Sequence, residues 1–385
     1  MRFLVLVVKS AFRNRLRTLL TSLGVAIALV AFLFLRTFIA AWYAGVDGAA
    51  SDRLFARNKT SITFPLPLAY VDKIKNIPGV SGVGYEDWFG GYYKDPKNFF
   101  AKFAADDNVF DLFPEAIVDS AEMKAYKEDK QGAMVGKYLA DKYGWKIGDR
   151  ITLTGDIYPG DWELNIRAIY TSNAKTFDVQ TMFFHWTMLN DRMVESRKNQ
   201  VGLIAIRVND PSKSTTVAAA VDELFANSPW ETRTESEKAF QLSIISMSSA
   251  LIGAIQIISG VVLLILMLIL ANTLAMTTRE RTTEYAVMRA IGYRPNHIIA
   301  FVLGEGFVIA ATGALLGVGL ATPVLKFFSE IFQRQMAAFL GSFELDPKVI
   351  AVAVSFVLGG GMLSTALPAW RAGRLKIVDA LRRVE

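Results

Sequence analysis

RERTTEYAVMRAIGYRPNHIIAFVLGE, residues 279–305, is a charged amphipathic stretch wedged between two long apolar runs. Residues 239–278, just ahead of it, hold no charged side chain, and residues 298–325, overlapping its end, hold one, Glu305. A basic connector cannot sit in hydrocarbon, so this one must lie on a membrane face. Wound as a helix, it gathers Tyr285, Ala286, Met288, Ala290 and Ile291 toward an apolar side, while Arg281, Glu284 and Arg289 carry charge around the rest. Such a helix has a face to offer another protein.

Working outward, four segments are apolar enough to span a bilayer: 19–43, 250–275, 298–325 and 349–370. Each supplies the roughly 20 residues that cross about 30 Å of hydrocarbon. The first is longer than the apolar core of a cleaved signal peptide and reads as an uncleaved anchor. The composition agrees: 52% hydrophobic residues and a mean hydropathy of +0.31, yet 20% charged. That balance fits a membrane bundle with a large polar domain, about 195 residues between the first two spans (44–238). Three patches, residues 2–17, 279–294 and 371–385, hold fourteen basic residues against four acids, a net of +10 in a chain of +6. The positive-inside rule puts those patches in the cytoplasm, both termini with them, and the long domain outside. A pI near 9.3 then reports topology rather than affinity for nucleic acid.

The expected division is a cytoplasmic amphipathic helix (1–18), a first span (19–43), an external domain (44–238), a stalk continuing into the second span (239–275) and a cytoplasmic coupling helix (276–297). A third span (298–325), a short external loop (326–348), a fourth span (349–370) and a cytoplasmic tail (371–385) follow. The forty uncharged residues ahead of the connector would make a helix of roughly 60 Å, twice the hydrocarbon thickness. Their first part is the more polar, so it reads as a stalk rising from the bilayer, with Leu242, Ile245 and Leu251 facing apolar neighbours. Arg36, two turns from the outer end of the first span, can snorkel or pair there. Within the external domain, 61–64, 68–77 and 80–85 read strand, helix, strand, and 203–208, 212–225 and 230–234 repeat the pattern. Two such units can pair into one split sheet with helices on one side. An inserted segment (96–198) has a short helix at 137–143 and strands at 150–153 and 162–170. The fold class is therefore an α-helical membrane protein with four transmembrane helices plus an α+β extracytoplasmic domain, a βαβ-type base (44–95 and 199–238) carrying a β-rich subdomain.

The connector ANTLAMTTRERTTEYAVMRAIGYRPNHIIAFVLGEG (271–306) resembles the signature of the MacB/FtsX-like permeases of ABC transporters. GKYLADKYGWKIGDRITL (136–153) is similar to that family's upper periplasmic subdomain. PAWRAGRLKIVDALRRVE (368–385) and KSAFRNRLRTLLTSLGVAIA (9–28) resemble its two ends. The resemblance implies two permease chains, as a homo- or heterodimer in the cytoplasmic membrane, served by two copies of an ABC ATPase subunit. ATP and magnesium would sit on that ATPase, with no cofactor on this chain. It also implies that ATP-driven motion is transmitted through spans and stalk to the external domains. That motion could export a periplasmic substrate through an adaptor protein and outer-membrane channel, extract a lipid or lipoprotein, or activate a periplasmic cell-wall hydrolase. The ATPase-coupling residues would be Arg281, Glu284, Tyr285, Met288, Arg289, Ala290, Ile291 and Gly292, with Asp379, Ala380 and Leu381 as a second contact. The connector could instead lie on lipid headgroups.

No catalytic motif competes with this reading. A Walker loop needs a Gly-rich turn ending in Gly-Lys-Ser/Thr. The near match GAMVGKY (132–138) has its glycines one residue too close and Tyr138 in place of the hydroxyl. With no Cys and two His, thiolate or histidine metal sites are not expected. Gly313, Gly317 and Gly319 would allow close helix packing in the third span, and Gly359–Gly361 a bend in the fourth. Glu305, an intramembrane carboxylate, should have a partner, an Arg or a backbone donor. The aromatic run Trp88, Phe89, Tyr92, Tyr93, Phe99, Phe100 and Phe103 reads as core or as ligand surface.

Overall fold

The computed structural model describes residues 2–98, 100–174, 177–335 and 345–374. The described residues divide into a helical unit, built from residues 2–40, 249–329 and 345–374, and an α+β unit, built mainly from residues 41–248.

In the helical unit, an amphipathic helix, Arg2–Ala11, precedes the first long helix, Arg15–Asp47. The second long helix runs Ser249–Glu280, the connector helix Thr282–Ala290, the third long helix Pro295–Gln335 and the fourth Pro347–Gly373. Four of these are long and apolar enough to cross a membrane. Small residues decide how closely they approach. A Cβ on Gly313 would stand 2.6 Å from Val25 and 3.0 Å from the Ser22 carbonyl, and one on Gly317 would meet Leu29 at 2.9 Å and the Ala26 carbonyl at 3.1 Å. The first and third long helices thus touch backbone to side chain along a Gly-x-x-x-Gly seam. Gly319 departs from expectation: its missing Cβ faces open space among the described residues. Two residues beyond Gly317, it has rotated about 200° away from the seam. In the fourth long helix, which is unbroken at Gly359–Gly361, the second and third of these glycines serve contact while Gly359 faces open space among the described residues. Gly360 lies under Met267 and Gly361 under Ala310.

The α+β unit is organised by one mixed sheet. Its base strands run in the order Thr232–Ser236, Arg53–Asn58, Leu203–Val208, Val80–Trp88, each antiparallel to its neighbour. Helices Ala69–Lys75 and Ser214–Phe225 make the crossovers. This is the interleaved split-βαβ arrangement, in which each unit's two strands are separated by a strand from the other. Tyr70 stacks on Phe225 at 3.8 Å, joining the two crossover helices over the sheet. The first strand lies at 53–58 rather than at 61–64, which is turn. Residues 53–58 (RLFARN) begin and end on charged or polar groups, and the apolar alternation that marks an exposed-face strand is hidden because five of the six positions are buried.

The inserted segment does not form a separate sheet. Strand Lys102–Ala105 pairs with Val80–Trp88 through Glu86↔Ala105, Asp87↔Ala104 and Trp88↔Phe103, and the ladder continues through Met182–His185, Gly132–Gly136, Gly160–Ser172 and Arg150–Gly155. Base and insertion therefore share one hydrogen-bonded ladder. The helix Lys137–Tyr143 falls where the sequence puts it. Residues 132–136 of the Walker-like stretch are a fully buried strand, and a Cβ at Gly136 would lie 2.0 Å from the Val179 carbonyl, so that turn has no room for a phosphate. Phe89, Tyr93 and Phe100 enter the core against Trp162, Phe184, Tyr143 and Trp145, whereas Trp88 stays 38% exposed. Phe99 lies outside the described residues.

Candidate functional site: the connector helix and its clamp

The second long helix ends at Glu280, and Arg281 makes the corner before the connector helix begins at Thr282. At its other end the connector stops on a glycine. Gly292 takes φ +106°, a conformation that disfavours any Cβ. The Tyr293 amide donates to the Met288 carbonyl and the Gly292 amide to the Arg289 carbonyl, both at 3.1 Å, the paired bonds of a Schellman stop. Pro295 then opens the third long helix.

Arg281 holds the corner from inside. Its side chain is 7% exposed, and Nη1 donates to Glu305 Oε1 at 2.8 Å. The same guanidinium donates to the Ser10 hydroxyl and, at 3.1 Å, to the Ser10 carbonyl on the N-terminal helix. One side chain thus ties together the N-terminal helix, the connector and the third long helix. Beneath it, Val7, Tyr285, Ile298, Phe301, Val302, Ala369 and Ala372 form a buried apolar cluster, with Met288 packed on its edge. Burial, with the Glu305 charge adding, pushes the Tyr285 hydroxyl far above its usual range. Gly304 admits this packing, since a Cβ there would sit 3.0 Å from Val7.

Two outer ion pairs flank the buried one. Arg13 grips Glu284 at 2.7 and 3.0 Å, and Arg17 grips Glu280 at 2.7 and 2.9 Å while also reaching Thr277. The hydrogen bond to Glu284 and its charge raise the Arg13 guanidinium further. Arg13–Glu284 is about half exposed, so it adds on the order of 1 kcal/mol or less. Its geometry matters more than its energy. The partners are spaced four apart on each segment in opposite sense, so the two pairs bracket the corner at Arg281. Reading the sequence, Arg13 and Arg17 served only as topology markers. The matched four-residue spacing of Glu280 and Glu284 was the signal for the pairing.

The structure sorts the eight connector residues into three groups. Arg281 and Tyr285 are buried, Met288 and Arg289 are half-buried, and Glu284, Ala290, Ile291 and Gly292 are exposed. Arg281 and Tyr285 are therefore clamp residues and not part of an outward surface. Arg281 is fixed by the Glu305 carboxylate, and Tyr285 by its apolar neighbours. Ala290 and Ile291 do not share the Tyr285 face either; Ile291 caps the helix at 74% exposure. Val287, 44% exposed, joins them on the outer side. Asp379, Ala380 and Leu381 lie outside the described residues. Glu305 has the Arg partner its position demands. Arg36 is exposed and makes no ion pair among the described residues.

A second charged centre lies in the α+β unit. Arg53, 3% exposed, donates through Nε to Glu237 at 2.8 Å, through Nη1 to the Leu112 carbonyl at 2.9 Å, and to both oxygens of Glu115. Its guanidinium lies over the Phe113 ring at 4.2 Å. Burial opposes its charge, and the hydrogen bonds it donates to Glu237 and Glu115 outweigh that. Glu237 also accepts from the Ala50 amide at 2.9 Å. Glu237 is the first residue of helix Glu237–Met247, so this carboxylate links the strand entering the domain to the helix leaving it. Sequence reading did not find this centre, because an Arg and a Glu 184 residues apart give no local signal.

Four long apolar helices joined to a mixed α+β sheet define the class: a helical membrane protein with an extracytoplasmic domain. The chain belongs to the MacB/FtsX family of ABC transporter permeases, with residues 18–224 matching the MacB-like periplasmic core domain and residues 256–377 the FtsX-like permease C-terminal domain. It is 26% identical to the macrolide export ATP-binding/permease protein MacB of Shewanella oneidensis, over 73% of this chain and 40% of that one. It is 22% identical to an uncharacterized ABC transporter permease of Methanocaldococcus jannaschii, over 98% and 97% of the two chains. The chain spans 31–40% of the length of the MacB relatives it first matches. Among solved structures, the periplasmic region of MacB from Actinobacillus actinomycetemcomitans aligns over 52% of this chain and 95% of its own, at 9% identity and a TM-score of 0.39.

Proposed function

We propose that this permease transmits motion between an ATPase on the cytoplasmic face and the external α+β domain. ATP and magnesium are bound by a separate ABC ATPase subunit, two copies of which serve a pair of permease chains. The basic patches are cytoplasmic, both termini included, in the cytoplasmic membrane. The observation that carries the reading is the clamp. Arg281 locks the connector to the N-terminal helix and the third long helix, while Glu284, Val287, Ala290 and Ile291 remain outward. A helix held on one face and open on the other moves with the spans it is fixed to, so a push on its outer face is not lost in local bending. Asp379, Ala380 and Leu381 would supply the second contact. The work done outside is export of a periplasmic substrate, with an adaptor protein and outer-membrane channel, or extraction of a lipid or lipoprotein.

Replacing Ile291 with Glu tests the docking face without touching the clamp. The variant should insert and fold normally but lose most ATPase co-purification and most of the substrate-dependent stimulation of ATP turnover. Normal assembly and turnover in Ile291→Glu would remove the connector as the coupling element.

A further inference from the structure

Arg13, Arg15 and Arg17 alternate along five residues, and the structure uses them differently. Arg13 and Arg17 are each spent on a carboxylate, Glu284 and Glu280. Arg15 is exposed and makes no ion pair or side-chain hydrogen bond among the described residues. It borders a groove of about 510 Å³ lined by Phe12, Leu19, Leu315 and Leu316, with Thr18, Ser22 and Thr312 on its floor. The floor hydroxyls are already satisfied: Thr18 donates to the Ala11 carbonyl at 2.5 Å, and Ser22 and Thr312 bond each other at 2.9 Å. What the groove offers a ligand is therefore hydrocarbon wall along its length and one guanidinium at its end. Further along the same two helices, Gly313 and Gly317 bring them into contact with Val25, Ala26 and Leu29, closing the crossing beyond the groove.

We propose that this groove holds an acyl chain of an anionic membrane phospholipid, with the lipid phosphate at Arg15. The charge order supports that occupant. An apolar slot ending in one guanidinium matches a chain ending in phosphate, and guanidinium binds phosphate through paired N–H groups. A soluble small molecule would need polar partners along the wall, which consists of Phe12, Leu19, Leu315 and Leu316. Under the orientation proposed above, the lipid belongs to the cytoplasmic leaflet. It would wedge the N-terminal helix–span corner beside the connector clamp and so set how freely that corner moves.

The test is native mass spectrometry of the delipidated full chain, titrated in detergent with phosphatidylglycerol or phosphatidylcholine. A one-lipid adduct should form with phosphatidylglycerol at lower concentration than with phosphatidylcholine. It should be lost in Arg15→Gln, and in Leu19→Trp, which fills the slot and leaves the charges alone. Lys9→Gln, which removes an exposed charge from the same end of the chain, should keep it. An unchanged adduct in Arg15→Gln overturns the proposal, as does equal loss in Lys9→Gln, which would mark a diffuse basic surface. Quantitative disulfide pairing of Leu315→Cys chains in membranes would also overturn it, since a second copy would then cover the groove. Adduct formation in detergent does not depend on topology, so a failed orientation leaves this result readable on its own.

Discussion

At the residue scale, the clamp shows how burial turns a pair of charges into a structural constraint. Arg281 and Glu305 are 7% and 2% exposed, so each needs the other to offset its lost hydration. Removing one partner leaves an uncompensated charge, a loss of about 3–5 kcal/mol, whereas replacing both with apolar groups of similar size is close to neutral. Arg281→Ala should therefore lower thermal stability in detergent sharply, and Arg281→Met combined with Glu305→Leu should recover most of it. If the single variant melts with the parent, Arg281 does not hold the corner. In the α+β unit, adjacent acids make the protein pH-sensitive in a calculable direction. Burial, with the Asp87 charge adding, pushes Glu86 up to about 7. Burial likewise pushes Asp87 up to about 7, opposed by hydrogen bonds from Trp186 and the Gly202 amide. Both carboxyls keep their protons in the folded chain at pH values where the unfolded chain has released them. The folded state thus binds more protons between the ordinary carboxyl range and 7, and stability falls as pH rises through that window. The unfolding free energy at about pH 5 should exceed that at about pH 8 by about 2–3 kcal/mol for each carboxyl, and Glu86→Gln should shrink the difference. An unchanged pH slope in Glu86→Gln would mean its carboxyl titrates normally.

At the element scale, the stalk departs most from the sequence reading. The sequence of 239–275 predicts one continuous helix, but the helix Glu237–Met247 ends before the second long helix starts at Ser249. Ser248 takes φ −99° and ψ 14°, and its amide bonds back to Ile245 at 2.9 Å. Serines at 246, 248 and 249 cluster at the break, and the Ser246 hydroxyl bonds the Ser243 carbonyl at 2.6 Å, the kind of local competition that weakens a helix. Within the chain Ile245 is buried, whereas Leu242 and Leu251 are 40% and 50% exposed. The helix is nevertheless anchored, through Glu237 to Arg53 and through Phe240 to Phe55 at 5.0 Å. Ser246→Pro removes a helical hydrogen bond and clashes with the preceding turn, at about 3 kcal/mol or more locally. ATP hydrolysis should then persist while the external work fails; full function in that variant would show that 239–248 is a tether. What the sequence made legible follows the same physics. The helix at 137–143 could be read because it buries one face, and the strand at 203–208 because it is an almost unbroken apolar run, four of its six positions being buried. The strand at 53–58 could not, because burial on both faces and polar ends erase the period. The clamp was half legible: Glu305 demanded a partner, but choosing Arg281 needed the turn of the chain at the corner. Arg53–Glu237 was not legible at all, being a contact made only by the finished sheet.

At the scale of the whole molecule, the proposed work requires drive and response on opposite sides of one membrane. The connector, with its exposed Glu284 and Ile291, must face the cytoplasm, and the mixed-sheet domain must face outward. The cysteine-free sequence lets single cysteines report this directly. Ser10 is engaged by Arg281, so Lys9 serves as the N-terminal probe, and Lys9, Thr283, Ser120 and Ser212 are all exposed. The decisive measurement is labelling of these four single-cysteine chains in intact spheroplasts with a membrane-impermeant thiol reagent, before and after permeabilisation. Cysteines at 120 and 212 should react at once, and those at 9 and 283 only after permeabilisation. Immediate reaction at position 283 would place the connector outside and contradict the transmission of motion from a cytoplasmic ATPase.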